Sequence, residues 1–175
     1  MPIPNYKTLI CLISCIGLCG CFSRVDRLQG QFLIRNQEDP ALSGDGTKLA
    51  LIVDYKGRPT VELRDLRNGK ILPLRHFSRN QPHSSPSLSW NGRYVAVITQ
   101  RGNRRLVIIE DRLSGRSHQL PIPGERIPVR LSLAPDASQL ALQFSEKGQW
   151  RIELFDLRQK IELDQPSGMS LFQPN

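Results

Sequence analysis

The chain repeats one pattern three times, at a period of 46 and then 45 residues. Each copy has an alanine between two apolar residues, and an aspartate 15 residues further along the chain. The alanines are Ala50, Ala96 and Ala141, and the aspartates are Asp65, Asp111 and Asp156. Because two landmarks keep the same spacing in all copies, the sequence predicts an array of equivalent supersecondary units.

Each copy consists of short β-prone stretches separated by polar turns. An Asp-Gly, Asn-Gly or Asp-Ala pair precedes the first clear strand, and such residues tolerate the positive φ of tight turns. Alternating strands follow over Lys48 to Val53, Tyr94 to Thr99 and Gln139 to Phe144. A Gly-containing turn, a strand ending in the repeated aspartate and a short last strand such as Ile71 to Leu74 complete the unit. Four short strands in about 45 residues are typical of a β-propeller blade.

The predicted fold is therefore all-β: a partial β-propeller of three four-stranded antiparallel blades over residues 36–175. Closed propellers have ~4–8 blades, so three blades do not close a ring by themselves. We expect either an open monomer capped by its termini or a homodimer with six blades, with a closing strand near Gln31 to Arg35. We also expect the three repeated alanines to be buried. Trp90 and Trp150 could be contact aromatics, but we expect them to pack between blades, which is the commoner use.

The first twenty residues have the pattern of a secretory signal peptide. Lys7 supplies a positive charge, and the apolar stretch Thr8 to Leu18 is shorter than the ~20 residues of a membrane-spanning helix. It ends in Leu18-Cys-Gly-Cys21, which resembles the bacterial lipobox. We predict a signal peptide over residues 1–20 and a lipid on Cys21. Residues 21–35 would then form the lipidated tether and the possible closing strand.

Two alternatives to lipidation at Cys21 remain. The sequence Leu12-Ile-Ser-Cys15 also fits the local pattern, although it leaves a very short apolar core, and an uncleaved anchor helix is the other interpretation. All four cysteines lie between positions 11 and 21, so the predicted mature chain has no disulfide framework. Several acyl chains on one cysteine would hold it firmly at a membrane, facing the periplasm of a bacterial envelope. The residue after Cys21 is Phe22 and not Asp. If lipoproteins are sorted by the residue after the lipidated cysteine, Phe22 favours the outer membrane.

The chain is basic, with a net charge of +8 and 18 arginines among its 24 basic residues. Arg101, Arg104 and Arg105 share one predicted hairpin, and Arg64 and Arg67 surround the first repeated aspartate. These five are the candidate binding residues for an anion or a partner protein, since a basic surface favours anionic partners. Nucleic acid is excluded as a partner because the signal sequence predicts export. The alternative interpretation is a basic surface that only keeps the domain soluble.

The sequence predicts no catalytic residue, no metal site and no cofactor. His76, His83 and His118 lack the paired spacing of zinc ligands, and neither a Gly-x-Ser-x-Gly elbow nor a Gly-rich phosphate loop occurs. Acidic and amide side chains beside turns usually bond nearby backbone N–H groups, so we assign them a structural role. The predicted structural turn residues are Asp45, Asn91, Asp136, Asp65, Asp111 and Asp156.

The strings Ser-x-Asp-Gly-x-x-Leu-Ala-Leu and Val-x-Leu-x-Asp-Leu, with a Gly-bearing hairpin between them, resemble the Pro-Asp repeats of TolB-type propellers. The match covers roughly residues 38 to 163, and Pro135-Asp136 is the literal Pro-Asp pair. We expect no counterpart of TolB's N-terminal domain. TolB-type propellers bind a peptidoglycan-associated lipoprotein, so the resemblance implies a non-catalytic envelope scaffold that binds another protein. The alternative function is a basic binding module for an anionic glycan or lipid of the envelope.

Overall fold

The computed structural model describes residues 36–122, 124 and 126–165. The predicted signal peptide, both candidate lipidation sites and the proposed closing strand at residues 31–35 lie outside these residues, so the domain boundaries remain predictions. The described residues form eleven strands in three antiparallel sheets. These sheets confirm the predicted all-β, partial-propeller fold class.

The first two sheets are four-stranded blades whose strands follow chain order. Blade 1 contains β1 (Gln37–Leu42), β2 (Lys48–Asp54), β3 (Pro59–Asp65) and β4 (Ile71–Leu72). Blade 2 contains β5 (His83–Leu88), β6 (Tyr94–Arg101), β7 (Arg104–Asp111) and β8 (Arg116–Leu120). The first strands of neighbouring blades contact each other, and the later strands lie progressively further out.

Blade 3 has three strands in the described part of the chain, where four were predicted. It contains β9 (Ile127–Leu133), β10 (Gln139–Glu146) and β11 (Gln149–Asp156), with β10 in the centre. The segment after β11, residues 157–165, forms no strand because it packs against the core instead. Leu157 and Ile161 are buried between blades 2 and 3, and the carboxylate of Asp164 accepts a hydrogen bond from the Ser89 hydroxyl at 2.5 Å.

Bulges in the first strands join the blades. Asp39 and Ser85, which are 46 residues apart, both have positive φ, and strand register shifts at both positions. The Asp39 carboxylate accepts a hydrogen bond from the Ser85 amide at 3.1 Å, and the Ser85 hydroxyl accepts one from the Leu131 amide at 2.9 Å. A bulge turns one side chain towards the next blade, so the repeat specifies the contact between blades as well as the blade itself.

Two apolar clusters fill the spaces between blades 1 and 2 and between blades 2 and 3. Ala50 and Ala96 are fully buried in these clusters, which confirms the prediction for both. Ala141 is only partly buried, contrary to the prediction. The reason is that no further sheet of the described chain covers the side of blade 3 on which Ala141 lies.

Candidate interaction surfaces

The three arginines predicted from one hairpin do lie together. Arg101 pairs with Arg104 across the tight turn between β6 and β7, and Arg105 follows on β7. All three side chains are exposed. No carboxylate in the described part of the chain lies within ion-pair distance of them. We call these three residues the arginine hairpin.

Arg64 and Arg67 do not join this group. The Arg64 side chain is largely buried and bonds Glu62 at 2.5 Å. Arg67 lies in the turn after β3, at the other end of the blades, where it binds both carboxylate oxygens of Asp65 at 2.7 and 3.1 Å. The structure therefore divides the predicted binding residues into an exposed group of three and two arginines already paired with carboxylates.

Further cations lie at the same end of the blades as the arginine hairpin. Lys56 and Arg58 belong to the equivalent hairpin of blade 1, and the Arg58 guanidinium donates to the Asn80 carbonyl at 3.3 Å. The guanidinium of Arg79 lies 4.9 Å from the centre of the Tyr55 ring, a cation–π distance. The β2–β3, β6–β7 and β10–β11 hairpins all turn at this side of the blades. We call this side the hairpin end.

The opposite side, the turn end, carries the turns that open each repeat. The Asp45 amide donates to the Trp90 carbonyl of blade 2 at 2.8 Å, and the Trp90 amide donates to the Pro135 carbonyl of blade 3 at 2.5 Å. The Trp90 ring packs on Gly44, since a Cβ atom there would lie 2.6 Å from a ring carbon. Trp90 thus packs between blades, as the sequence predicted.

The three repeated aspartates at the turn end are all occupied by donors. Each accepts a hydrogen bond from the backbone amide two residues further along the chain. Each also accepts hydrogen bonds from two nitrogens, Nε and Nη2, of one arginine guanidinium group. The amides belong to Arg67, Leu113 and Arg158, and the guanidinium groups to Arg67, Arg93 and Arg158. These contacts join the turns to the strands and leave no carboxylate of the three facing an open site.

The pKa values of these aspartates reflect the contacts. Hydrogen bonds from Arg67 and Arg158 lower the pKa of Asp65 and of Asp156 to about 2. Burial raises the pKa of Asp111, but hydrogen bonds from Arg93 and Ser114 outweigh it and bring this pKa to about 2 as well. All three are therefore anionic at neutral pH.

The other predicted turn residues, Asp45, Asn91 and Asp136, each accept a hydrogen bond from the backbone amide two residues further along the chain.

Two of the three histidines contact the backbone through their rings. His83 is buried, and its Nδ1 accepts a hydrogen bond from the Val61 amide at 3.2 Å, which places the ring proton on Nε2. Burial lowers the pKa of His83 to about 4. His76 Nε2 contacts the Gly115 carbonyl at 2.8 Å. Within the described ranges, no group of three His, Cys, Asp or Glu side chains is arranged to hold a metal ion.

The outer strand of blade 3 exposes a row of three apolar side chains, of which only Trp150 was considered from the sequence. Trp150, Ile152 and Leu154 alternate along β11 and are 63%, 71% and 69% exposed. The expectation that Trp150 packs between blades is wrong. The residues at the position of Leu154 in blades 1 and 2 are Leu63 and Ile109. Both are buried against the next blade. Within the described residues no further sheet packs on this face of blade 3.

No family model matches this chain, and no curated protein sequence matches it significantly. Solved structures do match. TolB from Acinetobacter baumannii aligns with a TM-score of 0.56 at 18% identity, over 75% of this chain and 33% of that one. Putative TolB from Agrobacterium tumefaciens aligns with a TM-score of 0.58 at 13% identity, over 71% of this chain and 46% of that one. The fold is that of a TolB-like β-propeller.

A third propeller is also similar. The β-propeller domain of the Trilobed protease from Pyrococcus furiosus, described as having an open velcro topology, aligns with a TM-score of 0.55 at 16% identity, over 75% of this chain and 41% of that one. This chain therefore spans between a third and a half of the length of these three proteins. At these identities the similarity concerns the fold, because one propeller fold carries many functions.

Proposed function

We propose that this chain is a non-catalytic lipoprotein of the cell envelope whose partial propeller binds another protein. The observation that carries the proposal is the arginine hairpin: three exposed guanidinium groups with no carboxylate partner in the described part of the chain. Arginine is enriched at protein interfaces, where its planar group binds carboxylates through two hydrogen bonds. An acidic face of a protein is the partner that this surface fits.

The blade gives the arginine hairpin a rigid support. Val107 and Ile109, which follow it on β7, are buried in the core, and β7 pairs with β6 along its whole length. Three like charges held this close repel one another, so an anionic partner relieves a repulsion that the free protein retains. Binding through this hairpin is therefore expected to depend on charge and to require no rearrangement of the blades.

The envelope location is supported by the sequence of the first 21 residues. The described residues include no helix with the length and apolar character needed to cross a membrane. The proposed anchor is a lipid on Cys21, with the propeller facing the periplasm and the outer membrane favoured. In cells fed a radioactive fatty acid, Cys21→Ser should lose the label and leave the membrane. Label retained in Cys21→Ser would point to Cys15, and membrane retention without label to an anchor helix.

Affinity capture tests the partner. The full chain is purified from detergent-solubilised membranes as bait, beside a variant carrying Arg101→Gln, Arg104→Gln and Arg105→Gln. A control variant removes three exposed positive charges elsewhere, through Lys70→Gln, Arg116→Gln and Lys160→Gln. We expect a protein that is captured by the wild type and the control and lost from the arginine-hairpin variant. The same captured proteins with all three baits would contradict a role for the hairpin.

An anionic glycan or lipid is the second candidate ligand, and the further cations of the hairpin end favour it. Lys56, Arg58 and Arg79 extend the positive surface across blade 1. Exposed charges are screened within about 10 Å at 0.1 M salt, so such binding should weaken steeply as salt is added. Binding of the full chain to vesicles of anionic phospholipid, or to lipopolysaccharide, at low and high salt distinguishes this module from a salt-tolerant protein scaffold.

An enzymatic function receives less support. One similar propeller is a domain of a protease. In the described part of this chain, however, His76 and His83 contact backbone groups rather than a serine and a carboxylate. The arrangement of a nucleophile, a base and an orienting acid is therefore not assembled by these two histidines.

A further inference from the structure

The outer edge of blade 3 differs from the outer edges of the other two blades. In blades 1 and 2 the strand that ends in the repeated aspartate is paired on its outer side, β3 with β4 and β7 with β8. The equivalent strand β11 pairs with β10 alone within the described residues. Its outward N–H and C=O groups therefore form an edge on which another strand can pair.

The side chains of β11 make this edge unusual for a soluble protein. Natural edge strands are commonly short, charged or covered, which prevents pairing with other chains. By contrast, β11 spans eight residues and exposes Trp150, Ile152 and Leu154 on one face. On the other face it carries Arg151 and Glu153, so the strand alternates apolar and charged residues throughout its centre.

This sequence is complementary to itself in one antiparallel register. A two-fold axis perpendicular to a sheet places one residue opposite its own copy. With Ile152 at that position, Arg151 lies opposite Glu153 of the second copy, and Trp150 lies opposite Leu154. Opposite charges and aromatic–aliphatic pairs are the favourable cross-strand combinations. The neighbouring registers, centred on Arg151 or on Glu153, place identical charges opposite each other.

The same charges already belong to ion pairs within the blade. Arg151 lies 3.3 Å from Glu146, and Glu153 bonds Arg126. Pairing of the two strands would place Arg151 between Glu146 of its own blade and Glu153 of the second copy. It would also place Glu153 between Arg126 and the second copy's Arg151. Because no like charges lie directly opposite each other, the existing ion pairs do not oppose the association.

The outer side of blade 1, the other outer face of the stack, is only partly apolar. A six-bladed ring of two copies requires blade 3 of one copy to pack against this side of the other. Leu42 and Ile71 are 61% and 57% exposed there. However, Leu51 and Val53 are buried, and Glu62 and Arg64 form an ion pair with each other. Packing of blade 3 on this side would bury that ion pair, whereas pairing of β11 with its own copy places opposite charges beside each other.

We propose that two copies of this chain associate through antiparallel pairing of their β11 strands, centred on Ile152. The third blades of the two copies would then form one continuous six-stranded sheet. Its strand order would be β9-β10-β11 of one copy and then β11-β10-β9 of the other. The arginine hairpin lies on blade 2, so the proposal stands independently of the proposed function. Each dimer would present two arginine hairpins.

Light scattering on the full chain in detergent, with the detergent mass subtracted, tests the association. We expect a mass of two chains for the wild type. Ile152→Lys places two positive charges opposite each other at the two-fold axis and should give a mass of one chain. Its melt should stay cooperative because this side chain is exposed, with a midpoint lowered only by the loss of association. The matched control Leu113→Lys, at another exposed apolar side chain, should remain dimeric. A single-chain wild type, or a dimeric Ile152→Lys, overturns the proposal.

Cross-linking tests the register. In a full chain whose four native cysteines are replaced by serine, Ile152→Cys should link to itself with a short thiol-specific reagent. Trp150→Cys and Leu154→Cys should link when mixed and not when alone. Arg116→Cys, on the edge strand of blade 2, should not link. Self-linking of Trp150→Cys that equals its linking to Leu154→Cys would overturn the proposed register.

Discussion

The junction between blades 1 and 2 and the outer face of blade 3 use the same repeat positions in opposite environments. Leu63 of blade 1 is fully buried, whereas Leu154, its equivalent in blade 3, is mostly exposed. Ala50 and Ala141 differ in the same direction. Both faces have strands of the same type and the same turns. The difference teaches that burial at these repeat positions depends on whether another sheet packs over that face, and not on the residue or its strand alone.

The largest expected effect is truncation of the buried leucine. Leu63→Ala should lower the free energy of unfolding by about 2–5 kcal/mol, because it removes buried methyl groups and leaves a cavity. Leu154→Ala should change it by less than about 1 kcal/mol, because the side chain is exposed in one chain and its proposed cross-strand pair with Trp150 contributes no more than that. Chemical denaturation of both variants measures the contrast. Equal losses would mean that the face of β11 is covered in solution, and Ile152→Lys would then show whether a second copy covers it.

The alanines test the space between blades. Ala96→Leu should destabilise the protein by about 1–3 kcal/mol, since a larger side chain must displace tightly packed neighbours. Ala141→Leu should be tolerated much better, because its side of blade 3 faces no further sheet of the described chain. Thermal melts of the two variants provide the test. An unchanged midpoint for Ala96→Leu would contradict the alignment of the repeats.

Acid should weaken the junction between blades 1 and 2 through His83. Its pKa is about 4 in the folded protein, against an ordinary value of 6.5, so the unfolded chain binds more protons between these values. Stability should therefore fall as the pH falls from 6.5 towards 4, by about 2 kcal/mol between pH 7 and pH 5. His83→Asn keeps an acceptor for the Val61 amide and does not titrate. A variant with the same pH dependence as the wild type would assign the acid effect to other groups.

The smallest expected effect concerns the turn end. Gly44→Ala brings a Cβ atom within 2.6 Å of the Trp90 ring, which must shift. The same change reduces the conformational freedom of the unfolded chain and so offsets part of the cost. We expect a net loss of about 1 kcal/mol. Pro135→Ala, at the equivalent and exposed position of blade 3, serves as the control in the same melts and should show a smaller loss that involves no clash with Trp90.

Much of the fold was predictable because the strands and turns of each repeat depend on residues that are close together in the sequence. The strands beginning at Lys48, Tyr94 and Gln139 start where the alternation of apolar residues predicted, and each extends one or two residues further. The turns with Asp45, Asn91 and Asp136 were recognisable because positive φ and side chain–backbone bonding depend on neighbouring residues. Among the site residues, the grouping of Arg101, Arg104 and Arg105 followed from their position in one short hairpin.

Other features were not predictable because they depend on groups distant in the sequence. The two hydrogen bonds from the Arg93 guanidinium group to Asp111 join residues 18 positions apart. Residues 157–165 form no fourth strand in blade 3, and Leu157 and Ile161 in this segment pack into the core instead. No periodicity within a single repeat distinguishes these outcomes.

The sequence by itself determined the unit: its length, its strands, its turns and its number of copies, because these depend on residue types at short and repeated spacings. Only the tertiary structure decided which copy of each position is buried. The free energy of burial depends on a neighbouring sheet that excludes water, and the last of three equivalent blades has no such neighbour in the described chain. For that reason Leu63 lies in the core while Leu154, in the same place in its repeat, lies on the surface.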